Sequence, residues 1–123
     1  MLSDVCATGP ILIVESPPVQ GLLGTVLAKE RYDVILRDIP EARDMLSRSD
    51  TPIGLLITDQ PWHFEPFLPA LPVLYLSGAP DGEYLQTHRS CGIRFLQKPF
   101  RFEGLLSNVR ELLSAAPAPS RRP

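Results

Sequence analysis

A chain of 123 residues, 44% apolar and 21% charged, is long enough for one core and too short for two, and its apolar fraction excludes disorder of the whole chain. A formal charge of -2 lacks the basic footprint that nucleic acid requires, and no apolar run reaches the ~18 residues of a membrane helix. No basic residue precedes Lys29, so a secretory signal is not expected, and Cys6 and Cys91 suit neither a disulfide framework nor a zinc site; a cytoplasmic protein is expected.

Residues 1–10 lack periodicity and 115–123 are mostly Pro, Ala, Ser and Arg, so both are expected as flexible tails around a domain at 11–114. Within it, Ile11–Val14 is an all-apolar run that stops at Glu15, as a strand buried on both faces does. Pro17 and Pro18 suit the first turn of a helix, and Val19, Leu22, Leu23, Val26 and Leu27 come next at helical spacing, predicting a helix near 17–30. Val34, Ile35 and Leu36 form a second strand, and Pro40 opens a weaker helix over 40–48. The run 53–58 ends in Asp59, and 73–76 ends in Ser77. A helix is predicted over 81–90, a fifth strand over 93–96 before Lys98-Pro99, and a last helix over 103–114. Strands alternating with helices imply a parallel sheet covered on both faces.

One crossover breaks the alternation. Pro61, Pro66, Pro69 and Pro72 remove amide donors and push the residues before them out of the helical region, so no helix longer than about a turn is expected between Asp59 and Pro72. A parallel connection needs about a dozen residues, and an irregular 60–71 just suffices. Trp62, Phe64, Phe67 and Leu68 would then cover the sheet, either as core alone or as a patch for a partner.

Ligands of a doubly wound sheet bind outside the carboxyl ends of its strands. Glu15 and Ser16, Asp59, Ser77 and Lys98 all fall there. Singly, each has an ordinary reading as a helix cap or a solvated charge. Together they are the carboxylates, hydroxyl and ammonium needed to place a phosphoryl group on a carboxylate. His63 and His88 lie at no strand end and are read as surface or packing residues. A small-ligand-binding flavodoxin-like domain is a further alternative, but Glu15-Ser16-Pro17-Pro18 argues against a nucleotide, offering an acid and missing amides in place of a phosphate cradle.

The motifs ILIVES at 11–16, LLITD at 55–59, VLYLSG at 73–78 and CGIRFLQKPF at 91–100 resemble the receiver domain of two-component response regulators, over about 11–114. The resemblance implies a flavodoxin-like, doubly wound, five-stranded parallel sheet in the order 2-1-3-4-5, here with the third helix shortened or missing. It implies Asp59 as phosphoacceptor, Lys98 as the lysine pairing with that carboxylate and then with the phosphoryl oxygens, a cis Lys98-Pro99 bond, Ser77 as the hydroxyl that swings toward the phosphoryl group, and Phe95 as the aromatic switch. The magnesium ligands would be Glu15, Asp59 and the backbone carbonyl of Pro61, with Ser16 in place of the usual second acid, so the ion is expected to be weakly bound or absent. The function implied is that of a stand-alone atypical receiver in a phosphorelay, not an enzyme. Its expected partners are a sensor histidine kinase or phosphotransfer protein and a downstream protein, with no nucleic acid and no membrane; a second copy of the chain is a candidate. The downstream contact would involve Tyr84, Arg94, Gln97 and Arg101. The alternative is a degenerate receiver that binds a protein without phosphorylation.

Overall fold

The computed structural model describes residues 9–48, 51–78, 84, 86 and 92–115. Five strands, β1 (Ile11–Val14), β2 (Val34–Leu36), β3 (Leu55–Thr58), β4 (Val73–Ser77) and β5 (Ile93–Gln97), form one sheet in the order β2-β1-β3-β4-β5. Every neighbouring pair is parallel. Register decides where the polar strand ends meet. Val14 lies opposite Thr58, so Glu15 and Asp59 leave the sheet at one level. Ser77 lies opposite Gln97, and the Lys98 amide continues the ladder by donating to the Ser77 carbonyl at 2.8 Å.

The sheet is buried on both sides because its central strands are apolar at consecutive positions. Ile11, Ile13, Leu55, Ile57, Leu74 and Leu76 face α1 (Pro17–Lys29) and α3 (Phe102–Ala115), which contribute Leu23, Leu27, Leu105 and Val109. Leu12, Val14, Leu56 and Val73 face α2 (Ile39–Arg48) and the β3–β4 crossover, which supply Ala42, Met45, Phe64 and Leu68. Helix α1 packs closely on β2: a Cβ at Gly24 would stand 3.3 Å from a Leu36 methyl. Leu22, expected on the inner stripe, is 49% exposed. Helix α2 starts with a reciprocal cap. The Glu41 amide donates to Asp38 Oδ1 at 2.9 Å and the Asp38 amide to Glu41 Oε1 at 3.1 Å.

The expected irregular crossover is instead a 3-10 segment, Pro61–Ala70, broken at Phe64, whose φ of -121° leaves the helical region. Its i→i+3 bonds include the His63 amide to the Gln60 carbonyl at 3.2 Å, and the Leu71 amide caps its end on Leu68 at 3.1 Å. Prolines deny the donors an α-helix needs, while 3-10 turns are viable in short pieces. The third helix is thus replaced by a thinner element. Phe64 and Leu68 are buried at 0% and 1% exposure, as expected, whereas Trp62 is 43% exposed and lies at the margin of the core.

Strand β3 begins at Leu55, two residues later than expected, and just before it the Gly54 amide donates to the Pro10 carbonyl at 2.8 Å. Gly9, at φ +72°, lies so close that a Cβ would stand 3.0 Å from the Gly54 nitrogen. Gly9 and Pro10, expected in the tail, are thereby tied to the domain. Residues 1–8 and 116–123, Cys6, Cys91, His88 and the predicted helix at 81–90, apart from helical Tyr84 and Gln86, lie outside the described residues. Among the described residues no helix is long and apolar enough to cross a membrane.

Candidate functional site

The site is built from the first residues past the apolar strands. Glu15 comes directly after β1, and its side chain is fully covered. One of its oxygens, Oε1, accepts from Lys98 Nζ at 3.3 Å; the other, Oε2, is buried without a hydrogen-bond partner. Burial, and next the nearby charge of Asp59, push the Glu15 carboxyl up to about 7, against the opposing pull of Lys98. Two carboxylates and an ammonium therefore share one crevice. Lys98 is 28% exposed and pairs here with Glu15, where the resemblance implies a pairing with Asp59. Its peptide bond to Pro99 is cis, as expected.

Asp59 is half-buried at the end of β3, and Pro61 is buried where the 3-10 segment begins. The turn between them is held by the Gln60 amide, which donates to Thr58 Oγ1 at 3.1 Å. His63, read as a packing residue, lies with Nε2 3.2 Å from Gln60 Oε1. Ser77 is half-buried at the end of β4. Ser16 is exposed at the N-terminus of α1 and makes no side-chain cap. Among the described residues no group of three or more His, Cys, Asp or Glu side chains converges, and any cation here would have the carboxylates of Glu15 and Asp59. The orphaned Glu15 Oε2 fits such an ion, because a cation there would give a buried carboxyl oxygen the partner it lacks.

Phe95 is partly buried on β5 and meets Tyr75 of β4 edge to face, with centroids 5.6 Å apart. Sequence reasoning missed Tyr75, although it stands two residues before Ser77 on the same strand face. It also missed Gln20, whose side-chain amide donates to the Ile13 and Arg37 carbonyls, both at 2.9 Å, tying the ends of β1 and β2 together beside the crevice. Arg94, expected with the fifth strand and the last helix on the partner surface, bonds Glu111 and Asn108 of that helix, α3. Gln97 and Arg101 are exposed.

A parallel sheet in this order is shared with known structures. The signal receiver domain of an HD domain-containing protein from Pseudomonas fluorescens Pf-5 superposes with a TM-score of 0.76 at 20% identity, covering 100% of this chain and 97% of that one. The fold is that of a response-regulator receiver domain. A response regulator receiver protein from Sinorhizobium medicae gives 0.71 at 21% identity, covering 86% of this chain and 94% of that one. A response regulator from Thermotoga maritima gives 0.68 at 25% identity, covering 87% and 98%. A two-component response regulator from Clostridium difficile gives 0.70 at 17% identity, covering 86% of this chain and 96% of that one. No model of a protein family and no curated protein matches the sequence. The resemblance read from the strand-end motifs and the receiver fold therefore agree.

Proposed function

We propose that Asp59 accepts a phosphoryl group from a phosphohistidine on a sensor kinase or phosphotransfer protein, and that a downstream protein reads the resulting change around Phe95. The supporting observation is Glu15, a buried carboxylate beside Asp59 with one oxygen on Lys98 and the other orphaned. Glu15, Asp59 and the Pro61 carbonyl would hold a magnesium ion, with Ser16 where a second acid is usual. A bound ion would supply positive charge against the phosphoryl oxygens.

In the transfer, an Asp59 carboxylate oxygen bonds to phosphorus while the phosphorus–nitrogen bond of the donor breaks, and the electron pair leaves with the imidazole, which is protonated. The Lys98 ammonium turns from Glu15 to the new phosphoryl oxygens as a point charge, and the Ser77 hydroxyl donates to them. The phosphoryl group stays on the protein, so the chain signals and releases no product as an enzyme would.

The test is exposure to magnesium and acetyl phosphate, read by intact mass. Wild type is expected to gain the mass of one phosphoryl group, and Asp59→Asn none. No gain in wild type favours the second reading, a degenerate receiver that binds its partner without phosphorylation. The neutral, exposed Ser16 is what supports that reading.

A further inference from the structure

Three rings stand two or three residues from three residues of the crevice. Trp62 lies three residues after Asp59, Tyr75 precedes Ser77 by two, and Phe95 precedes Lys98 by three. The structure brings them into one cluster on the side of the sheet covered by the 3-10 segment. Trp62 meets Tyr75 at 6.2 Å and 89°, and Tyr75 meets Phe95 at 5.6 Å and 77°. Tyr84 closes a triangle, 6.0 Å from Trp62 and 6.0 Å from Tyr75, again nearly perpendicular to each. Tyr75 is only 2% exposed and is the ladder partner of Phe95, so it has little room to yield when a neighbour moves. Trp62 is 43% exposed and has that room.

We propose that Trp62 is a second moving element of the switch: the Phe95–Tyr75–Trp62 rings, joined edge to face, carry the state of the Asp59 crevice to the exposed start of the β3–β4 crossover. Edge-to-face pairs depend on both tilt and offset, so displacing Phe95 changes the packing that Tyr75 offers to Trp62 and Tyr84. The other end of the relay is backbone. Only Gln60 and Pro61 separate Asp59 from Trp62, and the Gln60 amide is held on Thr58 while the His63 amide is held on Gln60, so hydrogen bonds tie this short turn to both residues. Occupancy at Asp59 therefore reaches Trp62 from two directions. An α-helical crossover would place different side chains here; the relay is a property of this chain's 3-10 segment. The inference rests on Asp59 as the phosphoacceptor.

Trp62 is the chain's one tryptophan, so its fluorescence reports on it alone. The full chain is phosphorylated with acetyl phosphate and magnesium, and the modified fraction is measured by intact mass alongside emission. Emission is expected to shift in proportion to the modified fraction. Phe95→Leu, modified to the same fraction, is expected to lose about half of the shift or more, and Tyr75→Phe, which keeps the ring, to retain it. A full shift in Phe95→Leu means that Trp62 senses Asp59 through backbone alone and overturns the relay, as does modified wild type without a shift. If wild type gains no mass, the phosphoacceptor reading fails, and the relay is then judged without phosphorylation. In that case, near-ultraviolet circular dichroism and emission of unmodified Phe95→Leu should differ from wild type at the tryptophan bands, and identical spectra overturn it. Should Phe95→Leu not fold, Phe95→Met is read by the same criteria.

Discussion

Two strands of this sheet end in the same pattern: β1 in Glu15-Ser16-Pro17 and β3 in Asp59-Gln60-Pro61, each an acid, an uncharged polar residue and a proline. The outcomes differ. After Glu15 the chain forms a 13-residue α-helix and the acid is fully covered; after Asp59 it forms a broken 3-10 segment and the acid stays half-buried. The cause lies in the residues beyond the prolines that open each connection. Residues 19–29 carry no further proline, whereas Pro66 and Pro69 interrupt the second connection. A local breaker pattern thus separates the two connections, and of the two acids it is Glu15 that is fully withdrawn from water.

The largest expected effect tests whether the 3-10 segment is as much a part of the core as α1. Phe64 and Leu23 are both at 0% exposure. Phe64→Ala is expected to lose about 3–5 kcal/mol and Leu23→Ala about 2–5 kcal/mol in urea denaturation. A loss under about 1 kcal/mol for Phe64→Ala would show the crossover to be a loose cover rather than a packed layer.

The next compares the two carboxylates. Burial raises Glu15 from 4.5 to about 7, so between those values the folded chain binds a proton that the unfolded chain has released. The stability this contributes is present below about 4.5 and is lost as pH rises through about 7. Glu15→Gln removes the dependence. It should be more stable than wild type by about 3 kcal/mol at about pH 8, with the advantage vanishing in acid, measured by denaturation in chelator. Asp59→Asn should instead move the Glu15 midpoint downward, because the Asp59 charge is one cause of its elevation. Parallel pH profiles for wild type and Glu15→Gln would refute the buried-acid description.

A smaller effect concerns the second position of the pattern. Ser16→Asp adds a carboxylate beside Glu15 and is expected to tighten magnesium by about tenfold, or about 1.4 kcal/mol, and to speed modification by acetyl phosphate. Calorimetric titration checks the first and intact mass the second; Gln60→Asp, at the matching position after β3, is the comparison. The smallest effect is at Trp62, whose 43% exposure limits what its removal can cost. Trp62→Ala should lose no more than about 1 kcal/mol, far less than Phe64→Ala two residues later.

The sequence by itself determined where the strands end and which polar residues stand there. A parallel strand buried on both faces is apolar along nearly its whole length, so Glu15, Asp59 and Ser77 stand out where the apolar runs stop, whereas β5 already carries Arg94 and Gln97 and Lys98 is marked by the proline that follows it. The prolines of 61–69 equally declared that an α-helix would fail between β3 and β4. Only the tertiary structure decided what those residues do to one another. That Lys98 bonds Glu15, 83 residues away, and leaves its second oxygen bare is a matter of side-chain reach across the sheet. So is the gathering of Trp62, Tyr75, Tyr84 and Phe95 from separate elements, and the turning of Arg94 to Glu111 on the opposite face. Periodicity records which residues leave water; the choice of neighbour belongs to strand order and register, which bring distant segments together only when the sheet closes.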